Sequence, residues 1–170
     1  AGSLTSLVSL NATAGTTYRI AVDGWFSNTG AVQLNVAPTP PANDNFANQI
    51  PLTGETATTT GSNRGATGEL GEPIQSGPTN SAWWSWTAPI SGIYKIDTKG
   101  SKFDTYLSVF TGSAVNNLTL IGANDDAAGS LTSLVSLNAT AGTTYRIAVD
   151  GFSSITGEIQ LNIAPPPPAN

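Results

Sequence analysis

The stretch AGSLTSLVSLNATAGTTYRIAVDG occurs twice, at residues 1–24 and again at 128–151, a displacement of 127 residues. Its closing part decides the fold class. Tyr145, Ile147 and Val149 alternate with Arg146 and Ala148, the two-residue period of a strand with one face in a core and one toward water. Downstream, Ile159, Leu161 and Ile163 alternate with Gln160 and Asn162 in the same way. Upstream, strands are expected near Thr56–Ser62, Ala82–Ala88, Gly92–Thr98, Thr105–Phe110, Leu118–Gly122 and Leu131–Leu137, separated by turns rich in Gly, Pro, Asn and Asp. About eight short strands without helical periodicity predict an all-β fold, a two-sheet antiparallel β-sandwich with Greek-key or jelly-roll-like connections.

The repeat extends beyond its identical core. Residues 1–43 match 128–170 at 36 of 43 positions, differing at 25, 26, 28, 31, 32, 36 and 39. Solenoid units run about 20 to 50 residues, so a period of 127 instead predicts whole domains in tandem. Proline marks the joints at Pro38, Pro40 and Pro41 and again at Pro165–Pro168, each followed by Ala-Asn. Such runs favour extended polyproline II and act as semi-rigid spacers. The expected organisation is therefore residues 1–37 as the carboxy-terminal strand group of a preceding repeat, 38–42 as linker, 43–164 as one complete repeat, and 165–170 as the linker opening the next. The sequence starts at Ala1 without an initiator Met and is expected to be a piece of something longer. A half-domain with an apolar face and open edges is adhesive, so residues 1–37 are expected either to pack on another copy or to belong to a continuous array.

Composition removes several classes of function. The 170 residues contain no Cys and no His, which excludes disulfides, thiolate or imidazole metal sites and imidazole catalysis. Six Lys or Arg are scattered against eleven Asp or Glu, for a net charge of −5, the wrong pattern for a nucleic-acid surface. No apolar run approaches the length of a membrane span. Low charge with abundant Ser, Thr, Asn and Gly fits an extracellular or cell-surface protein. Glu69 with Glu72 as a glycosidase pair, or a Ser with Lys102 as a dyad, lacks any supporting motif, so no enzyme is expected. The sequons at Asn11, Asn117 and Asn138 are read as incidental.

Two clusters invite a functional reading. Trp83, Trp84 and Trp86 share one expected strand, with Trp84 and Trp86 on one face and Trp83 on the other. They are either core between two sheets or, for Trp83 with Tyr106, a platform that binds a ligand. Asp104 opens one expected strand and Asn124-Asp125-Asp126 closes its neighbour, so an antiparallel hairpin brings three carboxylates and an amide to one sheet end. Glu69 and Glu72, in the Gly-rich loop 65–77, are candidates to reach the same place. Convergent oxygen donors suit Ca²⁺; the competing reading is solvated turn carboxylates. The spacing matches neither an EF-hand nor a glycine-rich calcium repeat.

Asn43-Asp44-Asn45-Phe46, Gly68-Glu69-Leu70-Gly71-Glu72-Pro73, Trp83-Trp84-Ser85-Trp86, Phe103-Asp104-Thr105, Asn124-Asp125-Asp126 and Ala141-Gly142-Thr143-Thr144-Tyr145 together resemble the bacterial pre-peptidase C-terminal type of β-sandwich. The likeness covers essentially all of residues 43–163. It implies an exported, noncatalytic module of a kind that occurs as accessory or tandem domains and includes calcium-dependent collagen- or carbohydrate-binding members. It also implies metal ligation at Asp104, Asp125 and Asp126. Two functions follow as expectations. One is a structural repeat of an extracellular fibre, stalk or adhesin whose partners are identical neighbouring repeats or subunits, forming a homopolymer. The other is a secreted accessory module that binds polysaccharide, protein or a host or cell surface.

Overall fold

The structure, a computed structural model, describes residues 5–73 and 79–165. The chain divides into two units, residues 1–36 and 37–170. The expected linker tail Pro166–Asn170 and residues 74–78 of the Gly-rich loop lie outside the described residues.

Among the described residues the larger unit holds nine strands: β1 (Ile50–Leu52), β2 (Ala57–Ser62), β3 (Ala82–Thr87), β4 (Gly92–Asp97), β5 (Thr105–Thr111), β6 (Thr119–Asn124), β7 (Leu134–Ala139), β8 (Thr144–Gly151) and β9 (Glu158–Ala164). They form a five-stranded sheet in the order β1-β3-β8-β5-β6 and a four-stranded sheet in the order β2-β9-β4-β7. Helix among the described residues is confined to single 3-10 turns. The two-sheet β-sandwich expected from the alternation is thus the observed fold. The short β1, which the sequence reading did not include, pairs parallel with β3, with Ile50 opposite Trp84; it departs from the antiparallel pattern and carries Pro51 near the sheet margin, where a missing N–H is tolerated.

The alternation sets the core. Trp84, Trp86, Leu107, Val109, Tyr145, Ile147 and Val149 of the first sheet meet Tyr94, Ile96, Val135, Leu137, Ile159, Leu161 and Ile163 of the second. Trp86 stacks near Tyr145 and Tyr94, with ring centroids 5.8 and 4.7 Å away. Gly61 in β2 is needed because a Cβ there would lie 2.8 Å from the Trp84 ring. The opposite parity of the first sheet builds a smaller apolar layer, Phe46, Trp83, Phe110 and Ala148. Trp83 is therefore core after all, but on the sheet's outer face.

Strand direction places the ends. β3 begins at Ala82, opposite Val149, and the Trp83 N–H donates to the Asn43 carbonyl at 2.9 Å. The segment after Asn43 thus starts at the sandwich end that holds Gly151 and Thr105. Residues 152–157 cross to the second sheet at that same end, and β9 then runs away from it, so Ala164 lies at the opposite end, beside Lys95.

Residues 5–36 keep the local turns of their twin without its sheets. The Thr16 N–H donates to the Thr13 carbonyl as that of Thr143 does to Thr140, and the Thr13 N–H donates to the Tyr18 hydroxyl at 3.0 Å as that of Thr140 does to Tyr145. The 3-10 turns Trp25–Ser27 and Phe152–Ser154 share positive φ at their second and third residues. Before each stands a glycine, Gly24 or Gly151, where a Cβ would collide with the carbonyl oxygen of Asn28 or Ile155. Yet no strand forms among the described residues of the first copy. Ile20 is 55% exposed whereas Ile147 is fully buried.

That contrast supplies a paired test. Ile147→Ala should cost about 2–5 kcal/mol in a denaturant titration, as deletion of a core side chain does. Ile20→Ala, the same change in the same local sequence, should cost under ~0.5 kcal/mol as an exposed substitution.

Candidate cation site

The antiparallel β5–β6 pairing, with Leu107 opposite Asn124, brings the residue before β5 and the residues after β6 to one end of the first sheet. There Asp104, Asp125 and Asp126 each offer an oxygen, and these oxygens lie within 4.8 Å of one another. The spacing matches donors on opposite sides of a cation with bonds of about 2.3–2.6 Å. One carboxylate oxygen of Asp104 and one of Asp125 are shielded from solvent without a hydrogen-bond partner. Burial first, and the Asp126 charge second, push the Asp104 carboxyl above its ordinary range. Burial, then Asp104 and Asp126, do the same to Asp125.

Neutral groups hold these acids in place. The Asn124 side chain accepts the Leu134 N–H at 2.8 Å and donates to the Asp126 carbonyl at 3.3 Å. The Ser133 hydroxyl donates to the Asp125 carbonyl at 2.8 Å from within a buried hydroxyl set that joins Thr98 to Thr105 at 2.6 Å. The Asp104 carbonyl accepts the Phe152 N–H at 3.0 Å. Backbone and hydroxyl contacts thus fix three negative groups whose mutual repulsion is not relieved by hydrogen bonds at the shielded oxygens. The arrangement fits a hard divalent cation.

Glu69 and Glu72 are not members of this group. A Glu69 carboxylate oxygen accepts the Phe46 N–H at 2.9 Å, and Glu72 accepts from the Ser81 hydroxyl, from the Trp83 ring N–H at 3.1 Å and from the Glu69 N–H at 2.9 Å. Both acids fasten the loop that covers the outer face of the first sheet. Trp83, 1% exposed, lies beneath this cover against Phe46 and Phe110, so it leaves no open ring face for a ligand. Tyr106 is half-buried beside it and lines a cleft of about 20 Å³ with Glu72, Trp83 and Asp150, room for a water and nothing larger. Asn124 serves the acidic site as a brace, its amide oxygen committed to Leu134.

Asp150 was missed from sequence. Its parity with Arg146 and Ala148 turns it to the outer face, under the same loop, where it accepts the N–H groups of Asn80 at 3.1 Å and Gly151 at 2.7 Å. That parity, read together with Trp83 opposite Ala148, was the available signal. Burial raises its carboxyl to about 6, with the Glu72 charge adding to the rise and the two N–H groups opposing it.

No family profile matches the chain, and no curated protein sequence matches it. Among solved structures it is similar to the pre-peptidase C-terminal domain of a collagenase from Bacillus anthracis, at 13% identity and a TM-score of 0.45, covering 68% of this chain and 93% of that one. This is the domain type that the sequence motifs resemble. Among the described residues, no helix is long and apolar enough to cross a membrane.

Because the folded carboxyl of Asp150 titrates above the ordinary 3.8, the fold retains a proton that the unfolded chain has already lost. Its stabilising contribution is complete below about pH 4 and disappears as pH rises through about 6. Asp150→Asn keeps the acceptor oxygen without the charge. Relative to the parent, it should gain ~1–3 kcal/mol more at pH 7.5 than at pH 4. A gain that is the same at both pH values in denaturant titrations would count against this assignment.

Proposed function

We propose that the chain is a noncatalytic structural segment of an extracellular fibre, stalk or large adhesin, built of β-sandwich repeats joined end to end. The observation that carries this reading is the recurrence of 36 of 43 residues at a 127-residue displacement, with a proline-rich joint at the corresponding place in each copy. Near-identity suits an array in which each bead presents the same ends to its neighbours, and a contact of that kind that does not close continues as an open filament. The sandwich geometry supports stringing, since the chain passes Asn43 at one end and Ala164 at the other. One bead as long as its longest strand, the eight-residue β8, and a five-residue polyproline spacer give an axial repeat of ~40 Å. Electron microscopy of the native assembly should show beads at that spacing, with a mass per unit length of one repeat per bead. A discrete monomer in native material would reject the fibre.

The same reading includes Ca²⁺ held by Asp104, Asp125 and Asp126, with Asn124 bracing the loop. What supports it is the pair of shielded carboxylate oxygens without hydrogen-bond partners. The ion would screen the three charges and tie the start of β5 to the end of β6. Binding to the folded state alone should add about 2.7 kcal/mol at a Ca²⁺ concentration 100 times Kd. Chelator should therefore lower the melting temperature and Ca²⁺ restore it, more at pH 7.5 than at pH 5 because the ligands must be ionised. Asp125→Asn should remove the response; an unchanged melting temperature in millimolar Ca²⁺ would exclude the site.

A further inference from the structure

The turn after β2 is held from several sides. Asn63, fully buried, donates its N–H to the Gly157 carbonyl at 3.3 Å, accepts the Gly157 N–H at 2.8 Å and gives its side-chain amide to the Ile155 carbonyl at 3.3 Å. The Ala66 N–H returns to the Asn63 carbonyl at 3.1 Å, and the Asn80 amide fixes the Ala66 carbonyl at 2.7 Å. Gly65 lies between these anchors.

Two demands converge on that glycine. Its φ of +75° is one that side chains rarely adopt. The other is steric: a Cβ on Gly65 would lie 2.9 Å from the Pro38 carbonyl oxygen, 3.0 Å from that of Thr39 and 3.1 Å from the Pro38 ring. All of these atoms belong to the linker expected from the sequence. The same stretch is tied where it enters the sandwich: Asp44 donates its N–H to the Pro41 carbonyl at 3.1 Å and accepts the Thr67 N–H and hydroxyl at 2.7 and 2.9 Å. Residues 38–44 are thus in contact with residues 65–67 at both ends.

The chemistry of the linker favours such seating. Pro38, Pro40 and Pro41 have φ fixed before folding, so ordering this run costs less backbone entropy than ordering an ordinary linker. Two of the three close atoms are backbone carbonyl oxygens, which any residue supplies. The second joint has Pro166 at the place of Thr39, a change that keeps the carbonyl.

We propose that residues 38–42 are a docked strap of the larger unit, seated on the Gly65 turn, with Gly65 as the residue whose missing side chain makes the seat. The proline run then moves with the unit that follows it, and any change of direction along the chain falls ahead of Pro38. The proposal concerns a single repeat and does not rest on the fibre.

Heteronuclear NMR relaxation of the isotope-labelled full chain reads the strap through the Thr39 and Ala42 amides. Docked, both should have order parameters of about 0.85, like the strands; a spacer free of Gly65 should fall below about 0.6 at Thr39. A nuclear Overhauser contact should join the Gly65 α-protons to the Pro38 ring. Gly65→Asn supplies a residue that accepts left-handed φ but adds the Cβ. Gly142→Asn makes the same change at φ +78°, where nothing lies within 4 Å. The first should lower the Thr39 order parameter below about 0.6, and the second should leave it unchanged. A parent value already that low, no contact between Gly65 and Pro38, or a Thr39 value unmoved by Gly65→Asn would overturn the proposal. Should Gly65→Asn not fold, the parent's order parameters and Overhauser contact decide alone.

Discussion

The fold depends on backbone hydrogen bonding along both edges of β8 and β9. Each is an interior strand of its sheet, and each is flanked by strands that come from earlier in the repeat. A sheet that lacks an interior strand leaves two rows of N–H and C=O groups unpaired and removes the surface against which the facing sheet packs. Neither part of the repeat therefore has an independent core. This interleaving bears on a contrast that composition alone does not explain: the same eight residues lie at the centre of a sheet at 144–151 and form no strand at 17–24. Sequence-local features survive in both, among them the Tyr hydroxyl that closes the turn at Gly15 or Gly142 and the glycine before the 3-10 turn. What differs is every interaction that requires a partner strand.

Alternation at β3, β8 and β9 made the sandwich legible, because apolar residues at every second position leave few other ways to exclude water. The hairpin argument that placed Asp104 beside Asp125 and Asp126 also needed only strand direction. Three features needed three dimensions. β1 is three residues long and contains Pro51, so it carries no period. The outer layer on the first sheet exists because residues 43–48 and the loop holding Glu69 and Glu72 fold over Trp83, a return path that spacing does not encode. Those two glutamates were grouped with the aspartates because their Gly-rich loop was expected to be able to reach that sheet end, whereas their carboxylates are committed to Phe46, Ser81, Trp83 and the loop backbone. Asp150 was hidden by its place at the end of an apolar run, where it reads as a turn residue.

The two acidic regions use opposite means of holding charge. Asp150 takes up a proton as pH falls through about 6 because burial disfavours its charge, while the two donated N–H groups support the ionised form, so its behaviour follows pH. Asp104, Asp125 and Asp126 bring oxygens within 4.8 Å of one another, and one oxygen of Asp104 and one of Asp125 have no hydrogen-bond donor. The hydroxyl set of Thr98, Thr105 and Ser133 connects this end of the first sheet to the loop after β6 without adding charge, which keeps the carboxylates positioned whichever counter-charge they take.

The placement of Asn43 and Ala164 at opposite ends has a mechanical consequence. Tension applied through them acts nearly parallel to β9, whose ladders to β2 and β4 must then slide as a block, many bonds bearing the load together. Had both ends of the chain left the bead on the same side, the ladders would peel apart one bond at a time under far smaller force.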